Sequence, residues 1–160
     1  MAVSEGNGNL MLEISTDKSD YMVGEPILIR LELINPTSGS VTLTFRSSKI
    51  FDGTVWIYQS EGGFFEQIYD SSNCVFLPVI TVIEIPPYSS YEILSINYSS
   101  SLEPGIYIIE AFSGNQQSET TVEVHAETLP EVSQLAMLLV IVVFTFIAFV
   151  YKKRAGRTSV

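Results

Sequence analysis

The groups that could do chemistry are few, and their isolation narrows the field. His125 is the only imidazole and Cys74 the only thiol in the 160 residues. A nucleophile needs a positioned base beside it, and a general base needs room for a substrate. His125 falls in the last predicted strand, beside the segment that leads out of the domain, which is a poor place for that work. A zinc site would have to complete itself with carboxylates, and no His, Asp or Glu spacing in the sequence supplies such a set. There is no Gly-rich phosphate loop and no readable pair of carboxylates. The reading is therefore of a chain that is not an enzyme and needs no cofactor or metal. Cys74 has no partner for an intrachain disulfide, so the fold must rest on its apolar core, and this thiol is expected to sit inside as a small hydrophobe. Asp17-Lys-Ser-Asp20 lacks the glycine and the closing glutamate of a calcium loop and reads as an ordinary turn. Asn97-Tyr98-Ser99 matches a glycosylation acceptor or simply ends a strand, while Asn35-Pro36-Thr37 is excluded as an acceptor by its proline.

Charge excludes other partners. Residues 1–131 hold all eighteen acids against four bases, Lys18, Arg30, Arg46 and Lys49, whereas residues 152–160 hold four bases and no acid. So acidic a domain is repelled by phosphate backbones and anionic headgroups, which argues against nucleic-acid binding.

The elements that must position any site are strands. Residues 1–9 form a polar, Gly-rich leader without the basic start and apolar run of a signal peptide. Leu10, Leu12 and Ile14 then alternate with Met11, Glu13 and Ser15, the period of a half-buried strand. Residues 17–26 read as a turn, and the cleanest alternation follows in Ile27, Ile29, Leu31 and Leu33. After the turn chemistry of 35–40, Val41, Leu43 and Phe45 resume it. Further strands are predicted over 53–59, 64–69, 80–85, 91–98, 105–112 and 120–125, with 70–78 irregular and 113–117 a loop. About nine short strands, with turns of Gly, Pro, Asn and Ser and no helical period, predict an all-β antiparallel sandwich over residues 10–125, with an up-and-down barrel as the alternative. Within it Leu102-Glu-Pro-Gly-Ile-Tyr107 has the form of a tyrosine corner, with Pro104 and Gly105 turning the chain and the Tyr107 hydroxyl bonding back to the backbone.

Beyond a short stalk, residues 126–131, the span 132–151 carries no charge over twenty residues. At ~1.5 Å per residue it is long enough to cross a bilayer core of ~30 Å, so a single transmembrane helix is expected, with membrane lipid as its partner. The basic tail 152–160 predicts a cytoplasmic C-terminus and an extracellular domain. Export of a domain ahead of its anchor needs a secretion signal, which implies a longer native N-terminus. If Met1 is the true start, a tail-anchored cytoplasmic domain is expected instead.

With chemistry set aside, loops are left to meet a protein partner. If every strand reverses the last, counting back from 120–125 puts the turns 35–40, 60–63, 86–90 and 113–117 at one end, away from the stalk, and places 70–78 with Cys74 at the other. Phe64 and Tyr88 flank two of those turns and are the expected aromatic anchors. The aromatics Trp56, Tyr58, Phe64, Phe65 and Tyr69 fit either a contact patch or the core.

Asn35-Pro-Thr-Ser-Gly-Ser-Val-Thr-Leu-Thr-Phe45, then Phe51-Asp52, then Leu102 to Tyr107 with Ala111, resembles the BsuPI domain family, named for an intracellular proteinase inhibitor. The likeness runs from about Leu10 to Val124. It implies an immunoglobulin-like sandwich and, for at least the named member, inhibition of a proteinase; it assigns no inhibitory residue. The sequence departs from the family pattern at Pro86-Pro-Tyr-Ser-Ser90, where Pro-Gly-Glu is usual, and at Gly62-Gly-Phe-Phe65, where a Trp-rich stretch is usual. Leu129-Pro-Glu-Val132 with the span and Lys152-Lys-Arg154 resembles archaeal C-terminal sorting tails, with Val132 where Phe is usual. Two functions are carried forward: a membrane-anchored, non-enzymatic surface binding module and, as the alternative, a membrane-tethered proteinase inhibitor.

Overall fold

The computed structural model describes residues 10–99 and 101–127, together with residue 139. Two compact units divide the chain, Met1–Ala126 and Glu127–Val160. The expected leader, most of the stalk, all of the membrane span but residue 139, and the basic tail lie outside the described residues. No helix among the described residues is long and apolar enough to cross a membrane.

The first unit is all-β. Ten strands run β1 (Met11–Thr16), β2 (Asp20–Met22), β3 (Ile27–Asn35), β4 (Val41–Phe45), β5 (Thr54–Gln59), β6 (Phe65–Asp70), β7 (Thr81–Ile85), β8 (Ser89–Tyr98), β9 (Gly105–Ser113) and β10 (Gln116–His125). One sheet has the order β1-β3-β8, a second β2-β10-β9-β5-β6, and β4 pairs with β7. Period-two patterning explains the layers. Ile27, Ile29 and Leu31 of the first sheet and Val55, Ile57, Tyr107, Ile109, Ala111, Val122 and Val124 of the second are buried in one shared core, while their neighbours along each strand face outward. A second, smaller core joins Val41, Leu43 and Phe45 to Ile83 and Ile85, with Leu10, Leu33 and Ile50 packed against it.

Three expectations need correction. Residues 17–26 are not one turn, because Asp20–Met22 forms a strand parallel to β10, with Tyr21 opposite Val124. Burying the Tyr21 ring supplies the drive that so short a segment, flanked by Asp17-Lys-Ser19 and Gly24, lacks on its own. Residues 113–117 are not one loop, since Ser113 pairs directly with Gln116 across Gly114-Asn115, and left-handed Gly114 (φ +60°) closes the tight turn. The strand directions also differ from simple reversal. β9 is antiparallel to β10 and β5 is antiparallel to β9, so β5 runs with β10 and β6 runs against it. The connection 46–53 carries the chain across to the second sheet and spoils the alternating count.

These directions fix the ends of the sandwich. Gln59 lies opposite Tyr107, and the Ser60 amide donates to the Ile106 carbonyl at 2.9 Å, which puts the turn 60–63 at the end where β10 finishes in His125. Asp70 pairs with Thr54, and Thr54 with Phe112, so residues 71–80 begin at the opposite end, beside the β9–β10 turn. The end of β3 belongs there too, because Gln116 Nε2 donates to the Leu10 carbonyl at 2.8 Å and β1 begins opposite Ile34.

Candidate functional site

At the end of the sandwich that carries the β9–β10 turn, the chain exposes apolar side chains that a folded domain would ordinarily bury. Between Asp70 and β7 the sequence reads Ser-Ser-Asn-Cys-Val-Phe-Leu-Pro-Val-Ile. Val75 is 98% exposed, Ile80 76% and Leu77 64%. Val79 and Val82 are exposed as well, and Phe76 is half-buried. An apolar run of this kind forgoes the transfer free energy of burial at most of its residues, which makes it a candidate contact surface. Cys74 is exposed, against the expectation of a buried thiol, because it stands at the root of this loop and not on a strand facing the core.

The loop is pinned at both flanks. On one side a short 3-10 turn, Ser71–Asn73, is capped by Asp70, whose carboxylate accepts from the Ser72 amide at 2.7 Å; the Ser72 side chain first, and then this amide, hold the Asp70 carboxyl below its usual range. The Cys74 amide donates to the Ser71 carbonyl at 3.4 Å, and its thiol approaches the Asp70 carbonyl at 3.6 Å. On the other side Ser48 grips Leu77 twice: its amide donates to the Leu77 carbonyl and its hydroxyl accepts from the Leu77 amide, both at 2.9 Å. Between these points Lys49 Nζ sits 5.5 Å from the Phe76 ring centroid, within cation–π reach.

The root of the loop is built from Phe51-Asp52-Gly53. Phe51 is buried in the main core. Asp52 takes Lys49 Nζ at 2.6 Å and the Ser71 hydroxyl at 3.0 Å, and those two contacts, Lys49 first, lower its pKa. Gly53 donates to Ser71 Oγ at 3.1 Å and accepts from the Ser71 amide at 3.0 Å. A Cβ at Gly53 would stand 1.9 Å from the Phe112 carbonyl oxygen, so no larger residue fits there. Tyr69 closes the root on the core side, where it tilts against Phe51 with centroids 5.7 Å apart. Burial, reinforced by its contact with Cys74, pushes the Tyr69 phenol up to about 12.

A second anchor organises the neighbouring loops. Asn35 is completely buried, and its Nδ2 donates to the carbonyls of Gly39 (2.7 Å), Ile85 (3.1 Å) and Pro86 (3.0 Å), while its Oδ1 accepts from the Thr37 amide (3.0 Å) and hydroxyl (2.7 Å). The Tyr88 amide then donates to the Thr37 carbonyl at 3.2 Å, which fixes Tyr88 in a left-handed turn (φ +52°) with its ring 74% exposed.

The two aromatics expected to act together are thus placed apart. Tyr88 shares the end with the apolar loop. Phe64 lies at the His125 end, half-buried and edge-on to Tyr107 with centroids 5.9 Å apart. Phe65, its neighbour, is the exposed ring of that pair and stacks on Trp56 at 4.7 Å. Pro104 and Gly105 lead into β9, where the buried Tyr107 hydroxyl donates to the Glu103 carbonyl at 2.9 Å; burial raises that phenol's pKa, with the Glu103 charge adding to it. Asn97 is exposed on β8. The turn 70–78 stands at the Tyr88 end, opposite to its expected place, as the direction of β6 requires.

Asp20, Glu123 and His125 come together on the outer face because β2 pairs with β10, and their ligand atoms lie within 4.8 Å of one another. Sequence spacing hid this, since Asp20 arrives from 105 residues away. Each imidazole nitrogen faces a carboxylate, Nε2 to Asp20 at 3.1 Å and Nδ1 to Glu123 at 3.7 Å. The cluster lies exposed on the sheet, and the Ser19 hydroxyl donates to the Asp20 carboxylate.

The signal that could have marked the apolar loop is the failure of alternation itself. Cys74 to Ile80 is apolar at every position, including a proline, in a chain whose strands otherwise alternate.

A family model described as BsuPI, intracellular proteinase inhibitor, matches residues 14–118. A comparison with curated proteins found no match. Among solved structures, a Paenibacillus cycloisomaltooligosaccharide glucanotransferase is 17% identical with a TM-score of 0.38, the match covering 74% of this chain and 15% of that one. A β-glucosidase of Erythrobacter marinus is 9% identical with a TM-score of 0.41, covering 72% and 16%. An alkylpurine DNA glycosylase of Pseudomonas fluorescens is 10% identical with a TM-score of 0.41, covering 77% and 32%. The chain thus spans under a third of the length of each.

Proposed function

This chain belongs to the BsuPI, intracellular proteinase inhibitor, family, and from that membership we propose that its sandwich is a proteinase-inhibitor-type module that acts by binding a proteinase. The observation that carries the reading is that the family match, residues 14–118, encloses the pinned apolar loop and both of its anchors, Asp52 and Asn35. An inhibitor must present a fixed, desolvatable surface to an enzyme that is itself rigid, and preorganisation lowers the ordering cost of doing so. A loop held by Ser48, Lys49 and Ser71 meets that need. The immunoglobulin-like form of the sandwich is supported by a three-stranded sheet facing a five-stranded one and by the bond from Tyr107 to Glu103.

The membrane tether belongs to this proposal on the strength of the uncharged span 132–151 and the basic tail that follows it. Recovery of the full chain in the membrane fraction after an alkaline wash is the expected result, and recovery in the supernatant overturns the tether. The inhibitor reading is tested by titrating the full chain, in detergent, against a panel of serine proteinases. Loss of activity at roughly micromolar inhibitor or below is expected for at least one enzyme. Full activity across the panel at that concentration overturns it.

A further inference from the structure

Resting on that inhibitor reading, we propose that Val75 is the side chain that enters the specificity pocket of the target proteinase, and that this pocket takes a small, branched aliphatic residue. A proteinase cleft reads an extended segment by taking one side chain into a pocket while its own groups meet the neighbouring backbone. Such a segment must stand clear of the domain, carry unspent backbone groups and hold its shape.

Val75 meets each requirement. It is the most exposed apolar residue of the described chain, at 98%. Neither its amide nor its carbonyl meets a partner among the described residues, whereas the backbone on both sides of it is fastened: Cys74 to Ser71, and Leu77 to Ser48. Cys74 is extended, with φ −101° and ψ 146°, so the chain enters Val75 in the conformation that clefts bind. Phe76 under Lys49 keeps the far side from collapsing.

Leu77, Ile80, Tyr88 and Phe65, though also exposed, fail on the same terms. The Leu77 carbonyl already accepts from the amides of Ser48 and Val79, both at 2.9 Å, so presenting it to a cleft would break two bonds, and Pro78 follows it without an N–H. Ile80 adjoins β7 and leads straight into its ladder with β4. Tyr88 sits on a tight left-handed turn, and Phe65 is stacked on Trp56 at the opposite end. The class of pocket follows from the side chain. Val offers two methyl groups and no charge, which suits a small apolar pocket and leaves a deep aromatic or acid-lined one unfilled.

The test uses the full chain against three serine proteinases: elastase with its small pocket, chymotrypsin with its large apolar one and trypsin with its acidic one. Elastase is expected to be inhibited best. Because Val75 is solvent-exposed, Val75→Arg should melt as wild type does while its elastase inhibition constant rises by about a hundredfold or more and trypsin becomes inhibited; Val75→Phe should shift inhibition to chymotrypsin. Folded Val75→Arg with unchanged elastase inhibition overturns the assignment of Val75 and leaves the inhibitor reading standing. If wild type inhibits none of the three, the inhibitor reading falls, and the first elastase cut decides the loop: a cut at Val75-Phe76 upholds its presentation to a cleft, and a first cut elsewhere overturns it.

Discussion

Replacing Asn35 should cost more stability than any other single polar change at the loop-bearing end. Its side chain makes five polar contacts, the two Nδ2 hydrogens being shared among three carbonyls, and has no contact with solvent. At about 1 kcal/mol for each net bond the upper bound is about 5 kcal/mol. Two of the acceptors keep a second donor, however: the Pro86 carbonyl retains the Ser89 hydroxyl at 2.8 Å, and the Gly39 carbonyl retains the Thr37 hydroxyl at 3.1 Å. With those discounted, Asn35→Ala should lose about 3 kcal/mol, a large share of the roughly 5–15 kcal/mol that holds a domain together. Asn35→Asp sharpens the test. The shapes are the same, yet at neutral pH the second carboxylate oxygen would face three carbonyl oxygens in place of the amide donor. This variant should be at least as unstable as Asn35→Ala at pH 7, and its penalty should shrink as pH falls and the carboxyl gains a proton to donate. Urea unfolding of the full chain followed by Trp56 fluorescence, at neutral and acid pH, gives both numbers. A loss under about 1 kcal/mol for Asn35→Ala, or a pH-independent Asn35→Asp penalty, would refute the argument that the buried amide organises these loops.

Gly53→Ala should destabilise by about 2 kcal/mol or more, since its Cβ would meet the Phe112 backbone 1.9 Å away and neither strand can retreat without breaking pairs; a melting temperature within a degree of wild type would show that the β5–β9 contact yields. Tyr21→Phe tests the alkaline limb. Burial first, and then the 2.7 Å bond to Asp17, lift the Tyr21 phenol from 10.0 to about 12, so its contribution is whole below pH 10 and is lost as pH rises through about 12. The stability gap between wild type and Tyr21→Phe should therefore close over that window in pH-dependent unfolding, and a constant gap contradicts it. The same bond lowers the Asp17 pKa below 3.8, so the gap should also narrow as pH falls through the acid range.

How much of this was legible in the sequence divides along physical lines. Alternation located Ile27–Leu33 and Val41–Phe45 because those strands bury one face and wet the other, and the buried side chains fall on the positions the period assigns. β2 was hidden because three residues set among turn-prone neighbours are too few to show alternation and gain their order from a partner a hundred positions away. The start of β10 was hidden because Gln116 to Thr121 are polar; pairing with β9 extends that strand where its own pattern would not. The direction of β5 is a property of how residues 46–53 cross between sheets, which local pattern does not encode. Phe64 and Phe65 differ by one step along a pleat, and a register shift between Val55 and Trp56 accompanies the change that puts one ring inward and the other out. Cys74 misled in the opposite sense, since a lone thiol was expected inside, whereas it stands exposed in a loop fastened through Ser48 and Ser71.

The parallel pairing of β2 with β10 has a mechanical consequence. A load applied between Asp20 and His125 would pull β2 from its start and β10 from its finish, in opposite senses along one shared ladder. Its bonds, including Glu123 amide to Ser19 carbonyl at 2.8 Å and Val23 amide to His125 carbonyl at 3.0 Å, would then be strained together in shear instead of opening one after another. The antiparallel pair β9–β10 would peel from its turn under a similar load. Three residue pairs with little thermodynamic weight of their own would thereby act as a clamp against a load applied in that geometry.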